Sequence, residues 1–172
     1  MLLEILFYPG VIIHEAMHFL ACLLLGIRVT KVSFGLKTSY VQHVDSNAWK
    51  TILIALAPFL LSNFIASIII YYTLISRPDL ILFLILLWVA LTIIYHSIPS
   101  KKDTENVDKK VSQIYRNLKT KKVLPLIILF ISNTLLIIPL KLFTFLINIF
   151  NKWAWLRVLL ILAVFQIVLL IL

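Results

Sequence analysis

Long apolar runs dominate this chain, and they constrain its fold more than any other feature of the sequence. Of its 172 residues, 62% are hydrophobic and only 13% are charged, whereas soluble domains are about 45–50% apolar. A run of about 18–20 apolar residues can cross the hydrocarbon core of a bilayer as a helix, because a helix bonds its own backbone polar groups. The composition excludes a soluble enzyme and a disulfide-rich secreted module, and it indicates an integral membrane protein.

Five runs reach or approach this length, and we predict one transmembrane helix for each. They comprise residues 5–27, 51–75, 80–100, 123–140 and 153–172. The first run is interrupted by two His and one Glu, and the last carries Arg157 near its start. The predicted fold is therefore an all-α polytopic membrane protein in which residues 1–172 form a single embedded domain.

Two connecting segments have periodicities of their own. In the segment 28–50, Val32, Phe34 and Leu36 alternate with small polar or glycine positions, which predicts a short β-hairpin at the membrane surface. In the segment 101–122, apolar residues recur at helical spacing among Lys and Arg, which predicts an interfacial amphipathic helix. The apolar positions of that helix are Val107, Val111, Ile114 and Leu118.

The basic residues are distributed unevenly along the chain. There are 16 Lys and Arg against 7 Asp and Glu, and 12 of the 16 fall in the segments 28–50 and 101–122. By the positive-inside rule, both segments and the C-terminus face the cytoplasm and the N-terminus lies outside. No basic stretch carries interleaved aromatic residues on a soluble face, so we expect lipid and not nucleic acid as the partner of these charges. The compact form favours the plasma membrane of a prokaryotic cell.

The first apolar run contains the sequence His14-Glu15-Ala16-Met17-His18. On a helix, residues four apart share a face, so both imidazoles can bind one metal ion while Glu15 contacts a water molecule on it. Ionisable residues within a membrane segment cost free energy unless they are paired, metal-bound or in contact with water, and for this reason they are functional candidates. The motif predicts a zinc site with Glu15 as the catalytic base.

Two histidines leave a third ligand to be found. Cys22 lies on the same helix face but about 12 Å along the axis from His14, too far to share an ion with it, and we expect it to be a small buried apolar residue. Asp103 also fits a helix-capping pattern with Ser100, a structural role that needs no metal. The main candidates are Asp103 and His96, and His43 and Asp45 of the predicted hairpin are weaker candidates.

Several segments together resemble the site-2-protease-like intramembrane zinc metallopeptidases. The segment 8–18, which continues into 26–32, is similar to the first catalytic helix and the following strand of that family. The segment 57–63 resembles its second-helix motif, which has a Pro and an Asn near the active centre. The segment 96–103, His-Ser-Ile-Pro-Ser-Lys-Lys-Asp, resembles the His-x-x-Pro-Ser-x-x-Asp sequence of some compact members.

The resemblance covers residues 8 to 105 and implies an intramembrane zinc metalloprotease whose substrates are membrane-embedded or membrane-proximal peptides. It implies one Zn²⁺ per chain, held by His14, His18 and Asp103. The catalytic core then comprises about residues 5–105, and the helices of 123–172 are a scaffold. By the same resemblance, Asn63 and Pro58 contact the substrate backbone or the oxyanion, although a helix kink at Pro58 and an interhelical hydrogen bond of Asn63 would also explain them.

A second interpretation belongs to a different functional class. The chain is small and its third ligand is open, so it is also compatible with a non-proteolytic zinc-binding membrane scaffold, chaperone or pseudoenzyme. That protein would bind zinc without hydrolysis that depends on Glu15. The sequence carries no signal for an oligomeric state.

Overall fold

The structure, a computed structural model, describes residues 6–35, 38–120, 135 and 137–171, and these are mostly helical. A two-stranded sheet follows the first helix, and a π-helical turn, Pro58–Ser62, joins the second helix to the third. The helices are α1 (Tyr8–Leu24), α2 (Ala48–Ala57), α3 (Asn63–Ser76), α4 (Leu80–Ser97), α5 (Lys101–Thr120), α6 (Ile138–Lys152) and α7 (Ala154–Ile171), and the strands are β1 (Val29–Phe34) and β2 (Ser39–His43).

Among the described residues, two helical segments are long and apolar enough to cross a membrane. They are Ala48–Ser76, with 29 residues from α2 through α3, and Leu80–Ser97, with 18 residues. A third is added only if α6 and α7, which meet at a bend of about 100°, are counted as one broken span. The structure thus supports a membrane protein with two or three such spans, and the larger number of five is not confirmed.

The remaining predicted spans differ from this set for identifiable reasons. The first becomes α1, an apolar helix of only 17 residues. The predicted span 153–172 corresponds to α7, which meets α6 at a bend of about 100° and is counted only together with α6, as one broken span. The predicted span 123–140 falls mainly on residues 121–134 and 136, which lie outside the described part of the chain.

Local sequence sets both ends of α1. Pro9 stands in its first turn, where a missing backbone N–H costs nothing. At the other end Gly26 has a φ of 64°. The N–H of Gly26 donates to the Leu23 carbonyl at 3.1 Å, and that of Ile27 donates to the Cys22 carbonyl at 2.8 Å. This pair of bonds is a Schellman motif, which favours Gly because side chains rarely adopt a positive φ.

The chain then forms the predicted hairpin. Strands β1 and β2 are antiparallel, with Val32 paired to Val41 and Phe34 paired to Ser39. Strand β2 lies against α1. The hairpin therefore places an extended segment of backbone beside the helix that carries the His-Glu-x-x-His motif.

Helix α5 confirms the predicted amphipathic helix and identifies what its apolar face contacts. Val107 and Val111 are buried against Ile52 and Ala55 of α2. That face is therefore used in packing within the protein, and the basic residues Lys101, Lys102 and Lys109 are left exposed on the other faces. Packing against α2 fixes the position of the first turn of α5, where Asp103 lies.

Helices α1 and α4 approach closely at Gly10. A Cβ atom on Gly10 would lie 2.1 Å from the backbone oxygen of Thr92 and 2.7 Å from Nδ1 of His96. No larger residue fits there unless the two helices separate. The close approach brings His14, one turn further along α1, to the C-terminal end of α4.

Candidate metal centre

Three side chains from two distant parts of the chain meet at one point. The Nε2 atom of His14 lies 3.7 Å from Oδ2 of Asp103, and the Nε2 atom of His18 lies 3.5 Å from Oδ1 of the same carboxylate. One ligand atom of each residue can be chosen so that all three lie within 4.8 Å of one another. Within the described residues, this is the group of His, Cys, Asp and Glu side chains spaced to hold a metal ion.

Each imidazole is oriented by a main-chain carbonyl. The Nδ1 atom of His14 lies 2.5 Å from the carbonyl oxygen of His96, and the Nδ1 atom of His18 lies 2.8 Å from that of Ile54. A carbonyl can only accept, so each Nδ1 carries the proton and donates it. The Nε2 lone pairs are left free to point at the centre, as in metal-binding histidines whose second nitrogen is fixed by an outer hydrogen bond.

Asp103 both caps a helix and faces the histidines. Its Oδ2 atom accepts hydrogen bonds from the backbone N–H of Ser100 at 2.9 Å and from the Ser100 hydroxyl at 2.6 Å. The backbone N–H of Asp103 in turn faces the Ser100 hydroxyl oxygen at 3.2 Å. The capping interpretation and the ligand interpretation are therefore compatible, because the cap holds the carboxylate in the orientation that meets His14 and His18.

The charge state of Asp103 suits a metal ligand. Burial by itself raises the pKa of this carboxyl, but its contacts with His14, His18 and Ser100 outweigh burial and hold the pKa well below its usual range. The lowered pKa favours the ionised form of Asp103 near neutral pH. An ionised carboxylate is the form that binds a cation.

Glu15 lies between two cavities that adjoin this centre. A smaller cavity of about 110 Å³ also touches His18 and Asp103, and Ser39, Tyr40 and Val41 of strand β2 line it as well. A larger cavity of about 390 Å³ touches His14 and Glu15 from the other side. Both are large enough to admit water. The carboxylate of Glu15 therefore borders space in which water and a substrate chain can meet the centre.

The other predicted ligands lie outside the group. The Nδ1 atom of His96 faces the Thr92 carbonyl at 3.2 Å, its ring is not among the three grouped side chains, and its carbonyl oxygen accepts from His14. The Nδ1 atom of His43 faces the carbonyl of Val44 at 2.9 Å. Asp45 is exposed and forms an ion pair with Lys110 at 3.1 Å. Cys22 is fully buried among apolar residues, as expected for a small core residue.

Asn63 and Pro58 lie in and beside the π-helical turn. The amide nitrogen of Asn63 donates to the Phe59 carbonyl at 2.6 Å and to the hydroxyl of Ser97 in α4 at 3.0 Å. Pro58 is buried at the start of the turn. Both residues thus have packing and hydrogen-bonding functions within the fold, and their proposed contact with a substrate stays a prediction.

Sequence reasoning missed two side chains near the centre. Arg157 lines the larger cavity together with Asn151. The available signal was the Arg itself, since a cation within an apolar run is a functional candidate. That Arg157 lines the same cavity as His14 could not be predicted, because this position depends on the bend between α6 and α7.

The donor set fits zinc. Two imidazole nitrogens and one carboxylate oxygen, each about 2.1 Å from a tetrahedral zinc ion, would lie about 3.4 Å from one another. The distances from the two imidazole nitrogens to the Asp103 carboxylate, 3.7 and 3.5 Å, are close to this value.

Comparisons of the chain with protein-family models, with curated proteins and with solved structures give no match. The class that fold and site define is therefore a helical protein with membrane-length apolar segments and a His-His-Asp group able to bind a metal.

Proposed function

We propose that this protein is an intramembrane zinc metalloprotease of the site-2-protease-like type. The observation that carries the proposal is the convergence of His14, His18 and Asp103 with the Glu15 carboxylate beside them, at the junction of two cavities. A zinc ion held by these three residues would polarise a substrate carbonyl and make water more acidic near neutral pH. A chaperone or scaffold requires the three ligands but has no use for a carboxylate placed as Glu15 is.

In the proposed reaction, Glu15 moves a proton between water and the departing amine. Its carboxylate accepts a proton as the water oxygen attacks the carbonyl carbon of the peptide bond, and it delivers that proton to the amide nitrogen as the C–N bond breaks. One carboxylate acts first as base and then as acid, so no second catalytic carboxyl group is required. The Nδ1 atoms of His14 and His18 each face a main-chain carbonyl, so the Nε2 atoms are the ones that would bind the ion.

Strand β2 is the proposed binding element for the substrate backbone. Its residues Ser39, Tyr40 and Val41 line the smaller cavity, which His18 and Asp103 also line. A substrate helix has to unwind before its peptide bond can be attacked, and an unwound segment can add to a strand by main-chain hydrogen bonds. The substrate would thus be extended next to Glu15.

We further propose a multi-pass location in a prokaryotic plasma membrane, with the basic segments 28–50 and 101–122 on the cytoplasmic side. The uneven distribution of Lys and Arg supports this orientation. In the proposed topology the N-terminus is outside and the C-terminus is cytoplasmic. Cysteine-accessibility labelling of single-Cys variants on the two sides would test it.

Zinc content is the first test. Purified wild-type protein is expected to hold about one zinc per chain, and His14→Ala, His18→Ala and Asp103→Ala are expected to lose it. His43→Ala is the matched control, because this histidine lies outside the group. Folded wild-type protein without zinc, or zinc retained in Asp103→Ala, would contradict the proposed ligand set.

Hydrolysis is the second test. Zinc-loaded protein in lipid is incubated with a panel of transmembrane peptides, and new termini are detected by mass spectrometry. Glu15→Gln is expected to bind zinc but to reduce cleavage by about 100-fold or more, whereas Glu105→Gln, an exposed position on α5, is expected to cleave normally. A zinc-bound wild type that cleaves no better than Glu15→Gln would leave the non-proteolytic scaffold as the function.

A further inference from the structure

The larger cavity contains a cation for which the described part of the chain supplies no carboxylate within ion-pair distance. Arg157, in the first turn of α7, lines this cavity together with His14 and Glu15. The ion pairs among the described residues join His14 and His18 to Asp103 and Lys110 to Asp45, and none of them includes Arg157. A half-buried guanidinium without a counter-ion loses hydration that its surroundings do not replace.

The contacts of Arg157 use only part of its bonding capacity. One of its nitrogens donates to the side-chain oxygen of Asn151, and the guanidinium lies over the ring of Tyr95 at 5.7 Å from the ring centroid. A guanidinium carries five N–H donors in a planar fork, a shape that fits the two oxygens of a carboxylate. Stacking on an aromatic face leaves the edge of this fork available.

Asn151 fixes the guanidinium relative to the metal centre. While its oxygen accepts from Arg157, its amide nitrogen donates to the carbonyl of Pro99 at 3.0 Å. Pro99 immediately precedes Ser100, whose backbone and hydroxyl hold Asp103. Arg157 is therefore connected by two hydrogen bonds to Pro99, in the short link that precedes α5 and the proposed third ligand.

We propose that Arg157 binds a carboxylate of the substrate, so that the protease selects peptides with an acidic group close to the cleaved bond. This inference rests on the proposed function. The carboxylate comes either from an Asp or Glu side chain or from the C-terminus of the peptide. Lys101, exposed at the rim of the same cavity, adds positive potential that attracts such a group. A peptide is favoured over an anionic lipid because Glu15, the proposed catalytic base for peptide hydrolysis, also lines this cavity.

The test measures binding apart from catalysis. Zinc-loaded Glu15→Gln protein is titrated into fluorescent Leu/Ala peptides of about 20 residues that carry one central Glu or Gln, or that end in a carboxylate or a carboxamide. We expect one of the two carboxylate peptides to bind about 10- to 100-fold more tightly than its uncharged partner. The arm that shows the preference identifies the source of the carboxylate.

Substitution of Arg157 then decides the question. In the Glu15→Gln background, Arg157→Gln is expected to abolish the preference, and Arg157→Lys to reduce it to a few-fold, because an ammonium keeps the charge but loses the bidentate geometry. Lys152→Gln removes an exposed cation nearby and is the matched control. The Lys variant keeps the test valid if the Gln variant does not fold.

Four results would overturn the inference. They are the absence of any carboxylate preference in the parent protein, a preference that persists in Arg157→Gln, an equal loss of affinity for charged and uncharged peptides, and an Arg157-dependent affinity for phosphatidylglycerol vesicles in place of peptide carboxylates. The proposed function is judged separately by Glu15-dependent cleavage. Cleavage without a carboxylate preference would refute only this inference, and a preference without cleavage would refute only the protease.

Discussion

Replacing Gly10 with Ala is expected to weaken zinc binding from a position that contacts no ligand. The new Cβ would lie 2.1 Å from the backbone oxygen of Thr92, and helices α1 and α4 must separate by about 0.9 Å to bring that distance to 3.0 Å. The same movement would lengthen the 2.5 Å contact between His14 Nδ1 and the His96 carbonyl to about 3.4 Å, beyond the usual range of about 2.7–3.2 Å, and so weaken this hydrogen bond. Loss of an outer hydrogen bond to a metal-binding histidine typically lowers metal affinity about 10- to 100-fold.

The stability of this variant gives an independent check. With free space, Ala would stabilise the helix at position 10 by about 1 kcal/mol over Gly. Overpacking costs about 1–3 kcal/mol, so we expect a net destabilisation. The assays are competition for zinc with a chelator and unfolding in mixed detergent, both on purified protein.

Gly26→Ala provides the matched control on the same helix. Gly26 has open space around its Cβ position but a φ of 64°, so Ala there costs about 1–2 kcal/mol of backbone strain without moving α1 against α4. We expect reduced stability and unchanged zinc affinity. Equal zinc affinities for Gly10→Ala and Gly26→Ala, or a stabilised Gly10→Ala, would refute the reasoning.

Three further predictions concern the surroundings of the centre. Ser100→Ala is expected to cost about 1 kcal/mol of stability through the lost cap and to weaken zinc binding, because Asp103 loses its orienting hydroxyl; a zinc affinity equal to wild type would contradict this. His96→Gln is expected to retain one zinc per chain by metal analysis, because the residue contributes only its carbonyl; zinc loss in a folded variant would restore its ring as a ligand. Lys110→Ala is expected to raise the pKa of Asp45 in NMR titration, since the Lys110 hydrogen bond holds that pKa below its ordinary value. The Lys110–Asp45 pair stabilises the fold above the ordinary pKa of Asp45, and this stabilisation is lost as the pH falls through the lowered pKa. If the pKa of Asp45 is the same in Lys110→Ala and in the wild type, the pair does not form.

Features encoded over short distances were predictable from the sequence. The apolar run 80–100 predicts α4, the alternation after Gly26 predicts the hairpin, and the Ser100–Asp103 pattern predicts the helix start. Each depends on periodicity or capping within a few residues, and these local preferences act regardless of how the rest of the chain is packed. The spacing of His14 and His18 likewise determines that they share one face.

Features that depend on contacts between distant segments were not predictable. Neither the carbonyl of Ile54 nor that of His96 has a sequence signature, because every residue carries a carbonyl group. The choice between Asp103 and His96 depended on where α5 begins in space, which is determined by its packing on α2. The position of Arg157 on the larger cavity depends on how α7 follows α6, at a bend of about 100°.

The main-chain acceptors behind the two histidines have a consequence for how this centre tolerates mutation. In a site where carboxylate side chains orient the imidazoles, one substitution removes the orienting group. Here the orienting oxygens of residues 54 and 96 belong to the backbone, and no side-chain replacement deletes them. Helix packing therefore determines the imidazole orientations, and a substitution at residue 54 or 96 affects them only if it changes the distance between the helices.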